Sequence, residues 1–426
     1  MKKTHYDLCI NGAGPVGATL ACRLAAEGVR VLLIDRSALP GMEDPALDGR
    51  AYAIAEGSRR MLADAGIWDN LPNVAQPIHE ILVADGRPHE APSPLTLHFG
   101  PEDAPEGQSF GWMVEARDLR LAINRTLTQH DSLDVHAPDL GSFTFHPDHV
   151  SIRLASGRTV TAKLAVAAEG RRSPLRRQAR IGLTKIPYNE YGIVATIAHE
   201  KPHHGVALEH FLPEGPFARL PMPGTPKHPH RSAIVWAEGE GRAQRFHALP
   251  DEIFGREIKA RMADEDLGEI TPVGRRWIYP LSAQYAQSYI GPRLALAGDA
   301  AHGIHPIAGQ GLNIGFRDVI SLADLLSGEH PGNCWSAISA TPVPATWPCS
   351  PQRMHLSACS ATITPSCAVC AISALLASSA SPPCAGPSCE RPWAYDGSGR
   401  GDLHYRQIIG PRGLLEGHAV PGMQLP

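Results

Sequence analysis

The sequence has no long uninterrupted apolar run and no excess of basic residues, and these two absences exclude several classes of protein. Its 426 residues carry 39 Lys and Arg against 43 Asp and Glu, a formal net charge of −4, so no overall basic field exists to attract nucleic acid phosphates. Hydrophobic residues make up 43% and charged residues 19%, which is typical of globular proteins and not of multi-span membrane proteins. Because His5, Asp7 and Asn11 interrupt any signal-peptide core, we expect a cytoplasmic protein.

Cysteine is also scarce until late in the chain. Only Cys9 and Cys22 occur in the first 333 residues, whereas seven cysteines follow. Charge is lost over the same region: within residues 331–389 only Arg353 is charged, although the average composition predicts about eleven charged residues. Residues 329–426 are therefore expected to form an irregular tail.

Two interpretations of this tail remain open. A shifted reading frame would change the composition abruptly, remove charge and scatter cysteines. Alternatively, the spacing of four cysteines resembles that of a zinc site, formed by Cys367, Cys370, Cys384 and Cys389. The missing charges favour the first interpretation, because a small exposed zinc module needs a polar surface.

The beginning of the chain has the pattern of a strand, a helix and a second strand. Residues 8–10 are apolar, and apolar residues then recur at helical spacing from Val16 to Leu24. Gly28 ends the helix, and residues 29–34 form a nearly all-apolar strand. A parallel sheet is therefore predicted.

A glycine motif lies between this first strand and helix. Gly12, Gly14 and Gly17 have the spacing G-x-G-x-x-G, and Asp35 ends the second strand. Such glycines let backbone N–H groups approach a pyrophosphate at the helix amino terminus, while the acid binds a ribose. The motif predicts dinucleotide binding but leaves NAD and FAD open.

Later segments predict a second sheet and a return to the first. Residues 72–110 are rich in Pro and Gly and form an excursion. Strands are predicted at 150–154 and 160–167, followed by short alternating strands at 192–198, 206–211, 219–221 and 233–236, and this run suggests a second, mainly antiparallel sheet. A further buried strand at 293–297 indicates that the chain returns to the first domain. A helical apolar face then runs from Leu312 to Leu326.

The motif that distinguishes FAD from NAD follows the strand at 293–297. Gly298 and Asp299 end this strand, where a carboxylate can hold a hydroxylated chain. Gly309 and Gly311 then let a planar ring approach backbone amides at the start of a helix. A flavin supplies both the ribityl chain and the ring.

The same region carries a resemblance to a known family. Residues His305 to Asp318 match every fixed position of the signature His-Pro-aliphatic-small-Gly-Gln-Gly-x-Asn-x-Gly-x-x-Asp. The sequence thus resembles the FAD-dependent aromatic hydroxylases of ubiquinone biosynthesis, within the para-hydroxybenzoate hydroxylase-like flavoprotein monooxygenases. The likeness covers roughly residues 5–326 and includes Asp48–Ala51, Ile67–Trp68, Leu220–Met222, Val235–Trp236 and Tyr279–Leu281.

This resemblance implies an α/β fold with a discontinuous, Rossmann-like FAD-binding domain and a mainly antiparallel substrate domain. The FAD-binding domain would comprise residues 1–72, 111–182 and 276–328, and the substrate domain residues 73–110 and 183–275. The implied reaction is hydroxylation of an aromatic ring with NADH or NADPH and O2. No catalytic side chain is identified.

The resemblance also implies the FAD ligands. Arg50 and Arg117 would line the FAD, and Asp299 would bind its ribityl hydroxyls. Together with the motifs above, the predicted cofactor-binding residues are Gly12, Gly14, Gly17, Asp35, Arg50, Arg117, Glu169, Gly298, Asp299, Pro306, Gly309, Gln310, Gly311, Leu312 and Asn313. His302 and His305 are spaced like a metal pair, but no suitable further ligands accompany them, and no metal is expected.

One predicted ligand departs from the family pattern. The family has Asp-Gly where this chain has Glu169-Gly170. The longer side chain acts in one of two ways: it alters the affinity for the cofactor or the rate of its reduction, or it is a tolerated change in the turn after a strand. We favour the second interpretation.

The substrate class leaves three functional hypotheses. A polyprenylated phenol of ubiquinone biosynthesis is favoured, and it implies peripheral contact with the inner membrane or a complex with other enzymes of the pathway. Hydroxylation of a soluble aromatic acid and a noncatalytic FAD-binding scaffold are the alternatives.

Overall fold

The computed structural model describes residues 4–44, 49–91, 93, 96–104, 109–263, 265–305 and 309–327. The predicted irregular tail, with its four-cysteine pattern, lies outside the described residues. The strands in chain order are β1 His5–Asn11, β2 Val31–Ile34, β3 Ala51–Ala55, β4 Gln76–Ile78, β5 Glu80–Asp85, β6 Leu97–Phe99, β7 Gly111–Glu115, β8 Leu133–His136, β9 Gly141–Phe145, β10 Val150–Leu154, β11 Thr159–Ala167, β12 Leu183–His199, β13 Val206–Leu212, β14 Gly215–Met222, β15 Arg231–Gly239, β16 Ile270–Ala286, β17 Ile290–Gly291, β18 Leu294–Leu296 and β19 His302–Gly303.

Among the described residues, the α-helices are fewer than the strands. They are α1 Pro15–Ala26, α2 Glu56–Asp64, α3 Ala116–Leu127, α4 Pro174–Gln178, α5 Glu240–His247, α6 Asp251–Lys259 and α7 Gln310–Leu326. Single 3-10 turns occur at Pro40–Glu43, Trp68–Asn70, Pro101–Asp103 and Gly298–Ala300. In the described part of the chain, no helix combines the length and the apolar composition that a bilayer span requires.

The first sheet contains the predicted parallel strands. Its order is β17-β18-β11-β1-β2-β8, and β10 and β9 extend it from β11. β1 pairs in parallel with both β2 and β11, and β18 pairs in parallel with β11. The side chains of β2 and β18 are all buried, which is characteristic of parallel strands covered on both faces. The predicted α/β fold is confirmed.

The second sheet has the order β19-β16-β12-β15-β14-β13-β5-β6. Its central pairs are antiparallel, as predicted, whereas β5 joins β13 in parallel. α5 and α6 supply the cover for one face, where Phe254 and Ile258 share a buried cluster with Phe217 and Trp236.

A small third sheet, β3-β7-β4, lies against the other face of the second sheet. Met113 of β7 and Ile78 of β4 pack with Ala207, Met222 and Ala233 of the second sheet. This contact places β3, the neighbour of β7, between the second sheet and α7.

Candidate functional site

The glycine turn after β1 is tightly packed on one side and open on the other. Gly12 has φ +112°, and a Cβ there would lie 2.4 Å from the carbonyl oxygen of Ala168. A Cβ on Gly17 would lie 2.1 Å from the carbonyl oxygen of Gly12. For Gly14, which precedes α1, no atom of the described residues lies within 4 Å of such a Cβ. Space for a phosphate group is therefore present at the amino terminus of α1.

Asp35 lies beside this turn, as its position after β2 predicts. Its Oδ2 accepts a hydrogen bond of 2.7 Å from the backbone N–H of Ala13, and its Oδ1 accepts one of 2.8 Å from Ser37. The carboxylate is thus fixed at the edge of the open space, where a ribose hydroxyl can reach its remaining lone pairs.

The two predicted arginines lie at the surface. Arg117 is exposed at the start of α3, and its Nε donates to the carbonyl oxygen of Glu43 at 3.2 Å. Arg50 is exposed, with its guanidinium carbon 5.6 Å from the ring centre of Tyr52 and 6.0 Å from that of Tyr279.

Sequence reasoning missed a third arginine, Arg120, which is 9% exposed. Its Nη1 donates a hydrogen bond of 2.6 Å to the carbonyl oxygen of Ala13, within the glycine turn. Arg120 follows Arg117 by three residues on α3. A positive charge directly under the turn favours the negative charge of a phosphate, and only the amphipathic pattern of α3 could have drawn attention to it.

Glu169 follows β11 and accepts several internal hydrogen bonds. Its carboxylate accepts from Asn11 Nδ2 at 2.7 Å, from Ser173 Oγ at 2.6 Å and from the backbone N–H of Leu175 at 3.3 Å. Burial raises the pKa of Glu169, although these hydrogen bonds oppose the shift. The side chain therefore links β1 to the turn before α4.

Asp299 differs from the other acids because its carboxylate is exposed and makes no hydrogen bond or ion pair within the described chain. It lies in the 3-10 turn after β18, between Gly298 and Ala300, which are both buried. A fixed turn thus presents an unpaired carboxylate, which suits a ligand that carries hydroxyl groups.

This turn is held by Asp318 of α7, a second residue that sequence reasoning did not select. Asp318 is completely buried, and its Oδ2 accepts from the backbone N–H of Gly298 at 2.8 Å and from His302 Nε2 at 2.7 Å. His302 is therefore occupied by a carboxylate partner. Among the described residues, no group of three or more potential metal ligands occurs.

The start of α7 is open where the sequence predicts a flavin ring. Gly309 precedes the helix with φ +62°, and a Cβ there would lie 3.1 Å from Cβ of Ala53. A Cβ built on Gly311 would have no atom of another described segment within 4 Å. Asn313 donates to the carbonyl oxygen of Ala53 at 2.7 Å and accepts from the N–H of Ala55 at 2.9 Å.

The other predicted residues of this segment have different environments. Leu312 is half-buried and packs against the core of the first sheet. Gln310 begins α7 and is half-buried. Pro306 lies outside the described residues.

His305, just before this segment, was considered only as a metal ligand. It is 2% exposed, its Nε2 lies 3.3 Å from Glu190 Oε2, and its ring is 5.0 Å from that of Tyr188. Within the described part of the chain, its Nδ1 and the Tyr188 hydroxyl are buried with no hydrogen-bond partner. Burial and the nearby Glu190 raise the pKa of Tyr188.

These observations fit an FAD. The space before α1 would take the phosphates, Asp299 the ribityl hydroxyls, and the glycines at the start of α7 the ring. Gly14, Asp299 and Gly311 are the open or unpaired positions that would contact the cofactor.

Comparison with known proteins agrees with this fit. A family model described as an FAD binding domain matches residues 5–337. The chain is 45% identical over 321 residues to ubiquinone hydroxylase UbiL of Rhodospirillum rubrum, covering 75% of this chain and 72% of that protein. It is 31% identical over 342 residues to 3-demethoxyubiquinol 3-hydroxylase of Escherichia coli, covering 79% and 84% respectively.

A solved structure supports the fold. PqsL of P. aeruginosa in complex with 2-aminobenzoylacetate has a TM-score of 0.66 with 19% identity, over 84% of this chain and 96% of that one. The family predicted from the His305–Asp318 signature is therefore confirmed by the sequence relatives. The chain belongs to the FAD-binding-domain family, together with the ubiquinone hydroxylases.

Proposed function

We propose that this chain is an FAD-dependent monooxygenase that hydroxylates the aromatic ring of a polyprenylated phenol in ubiquinone biosynthesis. The observation that carries the proposal is the combination of the unpaired Asp299 carboxylate with the open glycines at the start of α7. The relatives named as ubiquinone hydroxylases supply the reaction class.

Each predicted ligand has a distinct role in this proposal. The amino terminus of α1, with Gly12, Gly14 and Gly17, binds the pyrophosphate, and Asp35 binds the adenosine ribose. Gly298 shapes the turn from which Asp299 accepts hydrogen bonds from the ribityl chain. Arg50 and Arg117 bind from the surface, while Glu169 holds the turn after β11 in place.

The remaining ligands surround the ring. FAD, when bound, supplies the redox chemistry that couples NADH or NADPH and O2 to hydroxylation. Residues 309–313 and Pro306 position the ring, and the backbone amides at the start of α7 stabilise negative charge on the reduced ring. A helix amino terminus contributes about 0.3–2 kcal/mol to such stabilisation.

The second sheet supports an apolar substrate. Its face toward β3 and β7 carries Ala207, Met222 and Ala233, and Arg231, which lies on this face opposite Met222, already pairs with Glu115 of β7. A soluble aromatic acid needs a cationic partner for its carboxylate, so this face favours the polyprenylated phenol. Peripheral contact with the inner membrane, or with other enzymes of the pathway, would deliver such a substrate.

Complementation tests the proposal. A ubiquinone-deficient bacterial strain that lacks a ring hydroxylase should regain quinone when it expresses this chain, and mass spectrometry of the intermediates identifies the ring position. Strains lacking the 2-polyprenyl-6-methoxyphenol hydroxylase and the 3-demethoxyubiquinol 3-hydroxylase separate two positions. If no strain is rescued and the purified protein oxidises NADH without stimulation by any phenol, the noncatalytic scaffold is the better description.

A further inference from the structure

The second sheet contains a buried acid that the proposed cofactor site does not use. Glu209 lies in β13 and is 7% exposed. Within the described chain its carboxyl group has no hydrogen bond and no ion pair. A buried carboxyl group without a partner is costly, so its presence in an otherwise apolar strand face needs a physical reason.

Strand pairing defines the surroundings of Glu209. It lies directly opposite Val83 of β5 and Ala218 of β14. Ala218 in turn pairs with Val235 of β15, which pairs with Val194 of β12. Because residues directly opposite one another point to the same face of a sheet, Glu209 is the one polar member of a row of five side chains.

This row belongs to the face that lies toward the candidate flavin segment. Residues two apart in a strand share a face, so Glu209 points to the same side as Ala207. Ala207 packs in the cluster to which Ala53 of β3 also belongs. Ala53 in turn contacts the start of α7 through Asn313 and Gly309.

Charged residues do not neutralise Glu209. Arg219 of β14 and Glu238 of β15 alternate with Ala218 and Ala237, respectively, and thus point to the opposite face. On the face of Glu209, Asp85 of β5 lies opposite Phe211, and Arg231 of β15 pairs with Glu115 of β7. Arg275 of β16 lies over the ring of Trp277, which pairs with Val194. Burial alone raises the pKa of Glu209 to about 8. At neutral pH the group is therefore a carboxylic acid, which can both donate and accept a hydrogen bond.

We propose that Glu209 is a substrate-binding residue, whose carboxyl group donates a hydrogen bond to the oxygen on the phenolic ring while the apolar row holds the ring itself. This assignment rests on the proposed function, since it needs a phenolic substrate. It explains why an acid is retained in an apolar row: its missing partner arrives with the substrate. An apolar residue at this position would be unable to distinguish a phenol from a hydrocarbon.

Equilibrium binding of 2-prenylphenol to the holoenzyme tests the assignment. Binding should be constant from about pH 6 to pH 7 and should weaken with a midpoint near pH 8, where Glu209 ionises, well below the titration of a phenol near pH 10. Glu209→Gln should bind without this pH dependence, and Glu209→Leu should bind about tenfold more weakly at neutral pH. The oxygen of the methyl ether 2-prenylanisole accepts a hydrogen bond but cannot donate one, so this ligand should lose affinity in Glu209→Leu to a similar extent; an unchanged affinity for the ether would contradict donation by Glu209.

Bound FAD and thermal midpoints of the three proteins serve as folding controls. Glu209→Leu should be at least as stable as the parent, because it removes an unpaired buried polar group. Equal phenol affinity in the parent and Glu209→Leu, or a pH midpoint that persists in Glu209→Gln, would overturn the assignment while leaving the proposed function intact. If the parent binds no phenol at any pH, both the assignment and the phenolic substrate are wrong.

Discussion

Replacement of Asp299 by alanine should weaken FAD binding without destabilising the protein. The carboxylate is exposed and unpaired within the described chain, so the substitution removes no internal contact. An exposed substitution of this kind changes the free energy of unfolding by no more than about 0.5 kcal/mol. The FAD-free forms of the parent and of Asp299→Ala should therefore unfold at nearly the same temperature.

FAD affinity should respond very differently. A hydrogen bond to a charged group contributes about 1.5–3 kcal/mol, and about 1.4 kcal/mol corresponds to a factor of ten. Loss of the carboxylate should thus raise the Kd for FAD by roughly 10- to 100-fold. Fluorescence titration of the apoprotein with FAD measures this change directly.

Two further variants make the result decisive. Asp324→Ala removes another exposed carboxylate of the described chain, near the end of α7, and should leave both quantities unchanged. Asp318→Ala leaves the buried donors Gly298 N and His302 Nε2 without an acceptor, at about 1–3 kcal/mol each, and should lower both stability and affinity. An unchanged Kd in Asp299→Ala would refute the role of this residue, and a loss of stability like that of Asp318→Ala would show that Asp299 is structural.

Three other predictions follow from local geometry. Gly17→Ala should fold poorly, since its Cβ would lie 2.1 Å from a carbonyl oxygen, whereas Gly14→Ala should fold normally and bind FAD more weakly; circular dichroism and FAD titration distinguish the two. Glu169→Asp should lose about 1–3 kcal/mol of stability in denaturant titration with no change in the rate of flavin reduction by NADH, and a changed rate at constant stability would contradict the structural role. Cys9 and Cys22 should resist iodoacetamide at pH 8 until the protein unfolds, because burial raises the pKa of both thiols, that of Cys22 to about 12. Peptide mass spectrometry of the alkylated protein measures this.

The first sheet could be predicted from the sequence because its signals are local. The apolar strands, the glycine turn and the helix beginning near Val16 all lie within 35 residues, and each has a distinct periodicity. The return of the chain at residues 294–296 was predictable for the same reason, since a short apolar strand precedes a glycine and an acid.

The extent of the second sheet was harder to predict. β12 begins at Leu183, although only residues 192–198 show a clear strand pattern. Pro187 and a register shift between Pro187 and Tyr191 interrupt the alternation in its first half. Pairing with β16 maintains the strand there, and this contact joins residues about a hundred positions apart in the chain.

Residues whose role depends on contacts between distant segments could not be identified from the sequence. Arg117 and Arg120 both lie on α3, and nothing in the sequence says which of them faces the glycine turn. Glu209 has the same difficulty, because an acid between apolar residues in a strand suggests a solvent-facing position. The side chain is nevertheless buried, on an interior strand that pairs with β5 on one side and β14 on the other.

The candidate ligands come from distant parts of the chain, and each is held by a side chain from a different element. Asn11 joins the end of β1 to Glu169 after β11. Asn313 joins the start of α7 to β3, and Asp318 joins α7 to the turn that carries Asp299. Because buried hydrogen bonds to charged or backbone groups are costly to leave unmade, substitution of Asn11 or Asp318 should weaken FAD binding in a titration of the apoprotein, although neither residue is a predicted ligand of the cofactor.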